Sequence, residues 1–197
     1  MESAILVRHG ESEHSARGIF SSDAAVACPL TGLGREQARQ LGSRLANAGV
    51  DVCVTTEFPR AVETADIALA GRDIPRIVMA ELNEPRTGSF DGGRFVDYGA
   101  WARSASSAEH PAGGGESRQE IVARYARGYR GVLARPESTV LVVGHSLPIA
   151  YVLGALHGRD PEPIMPVIAY AEPHRVSAAE LERAVQRLET WGQAPTW

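Results

Sequence analysis

Four short apolar runs punctuate the chain: AILV at 4–7, VDVCVTT at 50–56, RIVMAEL at 76–82 and TVLVVGH at 139–145. Each is rich in β-branched residues and nearly uninterrupted, the pattern of strands covered on both faces. Between them the apolar positions return at helical spacing. Residues 31–48 place Leu33, Ala38, Leu41 and Leu45 on one side behind a Thr31 cap, and Gly49 ends the run. Residues 59–70 start with Pro59 in a first turn and carry Ala61, Ala65 and Leu69 together. Residues 117–134 space Ile121, Tyr125, Tyr129 and Val132 helically, and 146–157 read as a further helix with Pro148 in its first turn. A fifth run, VIAYAE at 167–172, predicts one more strand. Ser177 and Glu180 then form a capping-box pair before a C-terminal helix.

Strands alternating with helices predict an α/β three-layer sandwich, a mostly parallel central sheet with helices on both faces. One domain over 1–197 suits the length. Residues 86–116 break the rhythm. This stretch is rich in Gly, Ser and Ala, holds Phe95, Tyr98 and Trp101, and reads as an insertion or lid over one sheet edge.

Composition narrows the classes. With 44% hydrophobic and 22% charged residues the chain is ordinary for a globular protein. A net charge of −4 argues against a nucleic-acid surface. All 20 basic residues are arginine, a compositional bias that lowers the weight any single Arg carries. The two cysteines do not make a disulfide framework, and Cys53 sits in an apolar run as a small buried hydrophobe. No signal segment and no membrane-length apolar run is visible, so a cytoplasmic protein with no membrane partner is expected.

Charged residues change the picture where the strands end. In parallel α/β sheets, ligands bind beyond the carboxyl ends of the strands. The first run ends in Arg8 and His9; the second ends near Thr55 and Thr56, just before Arg60; the third ends at Glu81-Leu82, followed by Glu84; the fourth ends at His145. One sheet edge should therefore gather two histidines, two arginines and a carboxylate. Two guanidiniums can grip a tetrahedral oxyanion with paired hydrogen bonds. A neutral imidazole can attack phosphorus, and nearby cations help keep it neutral. A carboxylic acid can protonate a leaving alkoxide. Singly, each residue has a plainer reading: Arg8 in an ion pair with Glu11, Arg60 with Glu63 as an exposed helical pair, His145 as a helix cap, His9 as a bonded strand-end histidine, and Glu84 as a solvated loop residue. Their shared edge favours the chemical reading. His14, His110, His157 and His174 fall on no such pattern, with His14 nearest the predicted pocket.

The chain also resembles the histidine phosphatase superfamily, the phosphoglycerate mutase-like family. LVRHGES resembles that family's RHGE signature, PLTGLGREQARQLG its second helix start, TTEFPRAVETA the segment with its second arginine, and LNEPRTGSFDG the loop with its proton donor; GGGES and VLVVGHS match the remaining landmarks. The resemblance implies a phosphoglycerate mutase-like fold. It implies His9 as the phosphorylated nucleophile, Arg8, Arg60 and His145 as phosphoryl ligands, Glu84 as general acid and base, and no metal or other cofactor. Departures follow the first motif. Ser15 stands where Asn is common, Ser21-Ser22 where Gln-Gly is common, and Asp91 replaces a common Glu. The C-terminal end reads as helical, where many members carry a last strand.

The expected function is hydrolysis of a small-molecule phosphomonoester through a phosphohistidine. Ser15 is a further phosphate contact, and Ser12, Phe20, Ser21 and Arg86 are pocket candidates, with Phe90, Tyr98 and Trp101 as other apolar contacts. A phosphoglycerate mutase, a non-catalytic phospho-ligand-binding module and a metallohydrolase using His9 and His145 are the alternatives. The amphipathic C-terminal helix offers a face for a homodimer.

Overall fold

The computed structural model describes residues 1–197. Five strands form one sheet: β1 (Ser3–Arg8), β2 (Val52–Thr55), β3 (Arg76–Val78), β4 (Thr139–Gly144) and β5 (Pro173–Ser177). Their spatial order is β3-β2-β4-β1-β5. The first four are parallel and β5 runs antiparallel along β1. Seven helices accompany them: α1 (Glu13–Ala16), α2 (Gly32–Arg44), α3 (Pro59–Ala68), α4 (Phe95–Ser104), α5 (Arg118–Leu133), α6 (Ser146–Leu156) and α7 (Ala178–Gln193).

Side-chain alternation along the strands divides the interior into two cores. Ala4, Leu6, Val52, Val54, Val140 and Val142 face one way, toward α5, α6 and α7. Ile5, Val7, Cys53, Leu141 and Val143 face the other, toward α2 and α3. That is the expected three-layer sandwich. The caps agree with the sequence: Thr31 accepts from Gly34 N, Pro59 opens α3, and Ser177 with Glu180 forms a capping box on α7.

The two edges of the sheet differ from the expectation. The third run is a strand only over Arg76–Val78; Ala80–Leu82 turns into a short 3-10 helix. Val78 is 56% exposed, so this edge strand is not covered on both faces. The predicted strand at 167–172 is not one; only Tyr170 bridges to Arg8. The actual last strand follows it at Pro173–Ser177, so the C-terminal end is a strand and then a helix. In β5 only Val176 is fully buried, and an antiparallel edge strand with one buried side chain leaves no apolar run to read. Leu33 is also outside the apolar face of α2, 57% exposed. The apolar face of α7, with Leu181, Val185, Leu188 and Trp191, is buried in its own subunit's core and is not free for a second one.

Candidate active site

β1 and β4 are neighbours, yet the chain leaves β1 for β2 on the far side of β4. Such a switch in strand order opens a crevice at the carboxyl ends of the two strands. Arg8 and His9 end β1, and His145 follows β4. Arg60 comes from the first turn of α3. Glu84 comes from the loop after the 3-10 turn. All five predicted residues meet there. Arg8, His9, Arg60 and His145 are 7%, 2%, 4% and 0% exposed, and the Glu84 side chain 18%.

The backbone is drawn tight around His9. Gly10 N donates to Thr64 Oγ1 at 3.0 Å, and that hydroxyl donates to Arg60 O at 2.7 Å, tying the end of β1 to α3. A Cβ on Gly10 would lie 2.5 Å from Gly34 O, so only glycine fits where β1 passes the start of α2. His9 Nδ1 lies 2.7 Å from Gly10 O, which can only accept. The proton is therefore on Nδ1 and the lone pair on Nε2. Arg60 Nε donates to that Nε2 at 3.2 Å. Burial first, then Arg60, His145 and Arg8, pushes His9 well below the ordinary imidazole value, so it is neutral.

Each arginine is held at one end and open at the other. Arg8 Nη1 donates to Ile168 O at 2.7 Å, and its guanidinium lies 3.7 Å from the Tyr170 ring centroid. Arg60 Nη2 donates to Ser21 O at 3.2 Å and lies 3.8 Å from Glu84 Oε1. Arg8 Nε, Arg60 Nη1, Ser21 Oγ and His145 Nδ1 are buried without a hydrogen-bond partner. Arg8, Ser21 and Arg60 line one small cavity with His9. Buried donors are normally satisfied, so this cluster is built for a guest that accepts several hydrogen bonds and carries negative charge.

His145 and Glu84 complete the wall. His145 Nε2 is 3.0 Å from Thr56 Oγ1, and its Nδ1 is 3.3 Å from Glu84 Oε1 without hydrogen-bond alignment. Burial lowers the His145 imidazole against the pull of Glu84. Burial alone would raise the Glu84 carboxyl, but His145, Arg60 and Arg8 outweigh it and hold it at about 2. The pull of His145 acts only once its imidazole is charged, below neutral pH.

Several plainer readings fall away. Glu63 pairs with Arg35 at 2.7 Å and not with Arg60. Glu11 accepts from Thr31 and does not pair with Arg8. His145 occupies the N-cap position of α6 but makes no cap bond. Among the other candidates, Ser12, Ser15, Phe20 and Ser21 all border the His9 cavity, as does His14. Ser12 and Ser15 also bond to each other in the capping box of α1. Arg86 does not line the His9 cavity: its side chain is 68% exposed and turned to an open groove on the other side of Glu84. Of the predicted aromatics, Phe20 and Tyr98 face a cavity beside the site, while Phe90 and Trp101 pack behind Tyr98 at centroid distances of 5.6 and 5.4 Å. Loop 86–116 is joined to the loop after α1 by the Phe20–Gly93 and Phe95–Gly18 backbone bonds. Tyr170 and Arg118 were not anticipated from the sequence, and Thr56 was named there only as a strand end, not as a site residue. Thr56 lies one residue past β2, where a strand-end polar residue is a usable signal; nothing local marks the other two.

His9, Glu84 and His145 also offer three ligand atoms within 4.8 Å of one another. Their surroundings suit a cation poorly, because Arg60 Nε already points at His9 Nε2 and two guanidiniums border the group.

Comparison with known proteins places the chain in a family. The family model for the histidine phosphatase superfamily (branch 1) matches residues 4–194. An adenosylcobalamin/alpha-ribazole phosphatase of Escherichia coli K12 is 30% identical over 170 residues, 80% of each chain. A similarly named protein of Salmonella typhimurium is 38% identical, but over about half of each chain: 49% of this one and 50% of the relative. A 2,3-bisphosphoglycerate-dependent phosphoglycerate mutase of Thermobifida fusca is 34% identical over 77% of this chain and 66% of its own. Among solved structures, the alpha-ribazole phosphatase from Shigella flexneri superposes with TM-score 0.72 at 25% identity, over 88% of this chain and 89% of that one. Bacillus stearothermophilus YhfR gives 0.75 at 24%, over 88% and 89%, which shows a shared fold. With the family model matched along nearly its whole length, the chain belongs to the histidine phosphatase superfamily.

Proposed function

We propose that this protein hydrolyses small-molecule phosphomonoesters through a phosphohistidine on His9. The carrying observation is the His9 tautomer: Nδ1 is occupied by Gly10 O, so the lone pair is on Nε2, where Arg60 Nε donates in the empty site; a phosphoryl group that takes over that guanidinium frees Nε2 to attack, beside guanidinium nitrogens with no partner. In this reading Arg8, Arg60 and His145 bind the phosphoryl oxygens. Nε2 attacks phosphorus, the bond to the leaving oxygen breaks, and Glu84 gives that oxygen its proton. Water then attacks the phosphohistidine, Glu84 takes the proton, and inorganic phosphate leaves with His9 restored. Glu84 is ionised when the site is empty. A phosphoryl dianion on Arg8 and Arg60 cancels their pull, and burial then favours the protonated acid.

The chemistry has no step that requires a metal, and we expect activity to survive chelators and to be inhibited by vanadate. No helix is long and apolar enough to cross a membrane. The decisive test is rapid quench with a labelled aryl phosphate. An acid-labile phosphoenzyme should form in the parent and be lost in His9→Ala together with turnover. Turnover of His9→Ala at the parent rate would overturn the mechanism, and a chain that binds phosphate but turns over no ester is a binding module.

A mutase is the second reading, favoured by relatives of that name. Arg94 and Arg103, cations of the 86–116 insertion, line no cavity beside His9, and Arg86 lines only the open groove beyond Glu84, which supports hydrolysis. Rapid formation of 2-phosphoglycerate from 3-phosphoglycerate with 2,3-bisphosphoglycerate would reverse this choice.

A further inference from the structure

A second cavity, of about 370 Å³, opens beside the His9 site. The two share Arg8, Phe20, Glu84 and Phe95 as walls, so a molecule with its phosphoryl group against His9 extends past Glu84 into it. Its sides are largely apolar. Phe20, Phe95 and Tyr98 face Ile164, Met165 and Val167 across it.

Arg118 is out of place in that wall. Only three arginines of this chain are buried, Arg8, Arg60 and Arg118, and the first two belong to the phosphoryl site. Arg118 is 7% exposed. Its one hydrogen bond runs from Nη2 to Pro163 O at 3.0 Å, and no carboxylate pairs with it. Its guanidinium lies 5.7 Å from the Tyr98 ring centroid, near the outer reach of a cation–π contact. It also occupies the first position of the 16-residue α5, where the helix dipole already presents positive charge. Arg118 is thus a buried cation at the positive end of a helix, with the Tyr151 and Tyr98 phenols and no carboxylate as its side-chain neighbours, so this wall of the cavity carries an uncompensated positive charge. An anion in the cavity would neutralise that charge.

We propose that this cavity is the leaving-group subsite and that Arg118 receives a carboxylate carried by the substrate's alcohol. The substrate class is then a phosphomonoester of an apolar, carboxylate-bearing alcohol or phenol. This rests on the phosphatase reading. A carboxylate fits better than a second phosphoryl group, because Arg118 is one guanidinium and Arg8 is committed to the first phosphoryl group.

The test compares carboxyaryl phosphates, with the carboxylate at increasing distance from the ester oxygen, against their carboxamides. In the parent protein at least one carboxylate should exceed its carboxamide about tenfold in kcat/KM, chiefly through KM. In Arg118→Met that ratio should collapse to about one, and Arg118→Lys should keep part of it. A purely structural Arg118 would slow both members of a pair together and leave the ratio standing, which overturns the proposal. So does a parent that prefers no carboxylate, and this comparison decides the matter even if Arg118→Met fails to fold. A parent that turns over no aryl phosphate fails the phosphatase reading itself, a distinguishable result.

Discussion

His9 sets the residue-scale chemistry. Protonating Nε2 would place a buried cation beside Arg60, Arg8 and His145, and that is why its value is driven well below 6.5. The nucleophile is the neutral form, so a depressed value keeps it active as pH falls. We therefore expect kcat/KM for nitrophenyl phosphate, whose leaving group needs no proton from Glu84, corrected for the ester's own ionisation, to stay flat from pH 8 down through 6.5. Its acid limb should come well below that. A profile that halves near 6.5 would show an unperturbed histidine and sink the assignment. His9, Arg8, Arg60 and His145 were legible in the sequence because each ends or follows a strand or opens the next helix, and those ends share one edge; Glu84 was placed there from a third strand drawn too long, and reaches the edge through the 3-10 turn after β3. Tyr170 and Arg118 were not, because each meets the site through a partner distant in sequence: Arg8 under the Tyr170 ring, Pro163 and Tyr98 around Arg118.

At the scale of elements, the loop carrying Glu84 has no regular structure to hold it, and α5 supplies the anchor. Arg124 donates to both Glu116 oxygens at 2.7 Å, and through Nη1 to Glu81 O and Asn83 O at 2.9 and 3.0 Å. Glu116 is 4% exposed and also accepts from Arg86 N. One planar fork thus fixes the loop on either side of the acid, and a lysine cannot make both sets of bonds. Arg124→Lys is expected to lower kcat for an alkyl phosphate about tenfold while affecting nitrophenyl phosphate much less, since only the poor leaving group needs a placed proton. Equal losses on both substrates would mean that Arg124 serves stability alone. GGGES stood out in the sequence as a landmark, but its role was invisible because it depends on Arg124, eight residues beyond Glu116. The same limit explains the sheet edges. β1, β2 and β4 are central, covered on both faces and readable as apolar runs, whereas β3 and β5 are edges whose exposed positions carry no such pattern.

On the scale of the whole molecule, the two cores press the sheet from both faces and leave its carboxyl edge as the place where ionisable groups are buried together. That arrangement ties stability to pH. His9 and His145 titrate lower in the folded protein than the usual 6.5, so the unfolded chain binds more protons as pH drops below 6.5, and stability falls with it. Glu84 acts further down. Its carboxyl is held at about 2 against a usual value near 4.5, so its contribution is present above 4.5 and lost as pH falls from there toward 2. That depression corresponds to on the order of 3 kcal/mol, or roughly 6–12 °C of Tm for a chain of this size. Thermal unfolding should therefore show Tm declining already between pH 6.5 and 5, and declining again below 4.5. Glu84→Gln should keep the first decline and flatten the second, because the group that gains the proton is gone. If parent and variant lose Tm equally below pH 4.5, Glu84 is not the buried ionised carboxylate of the site. Bound vanadate should raise Tm in the parent, since the anion supplies the acceptors that Arg8 Nε and Arg60 Nη1 lack.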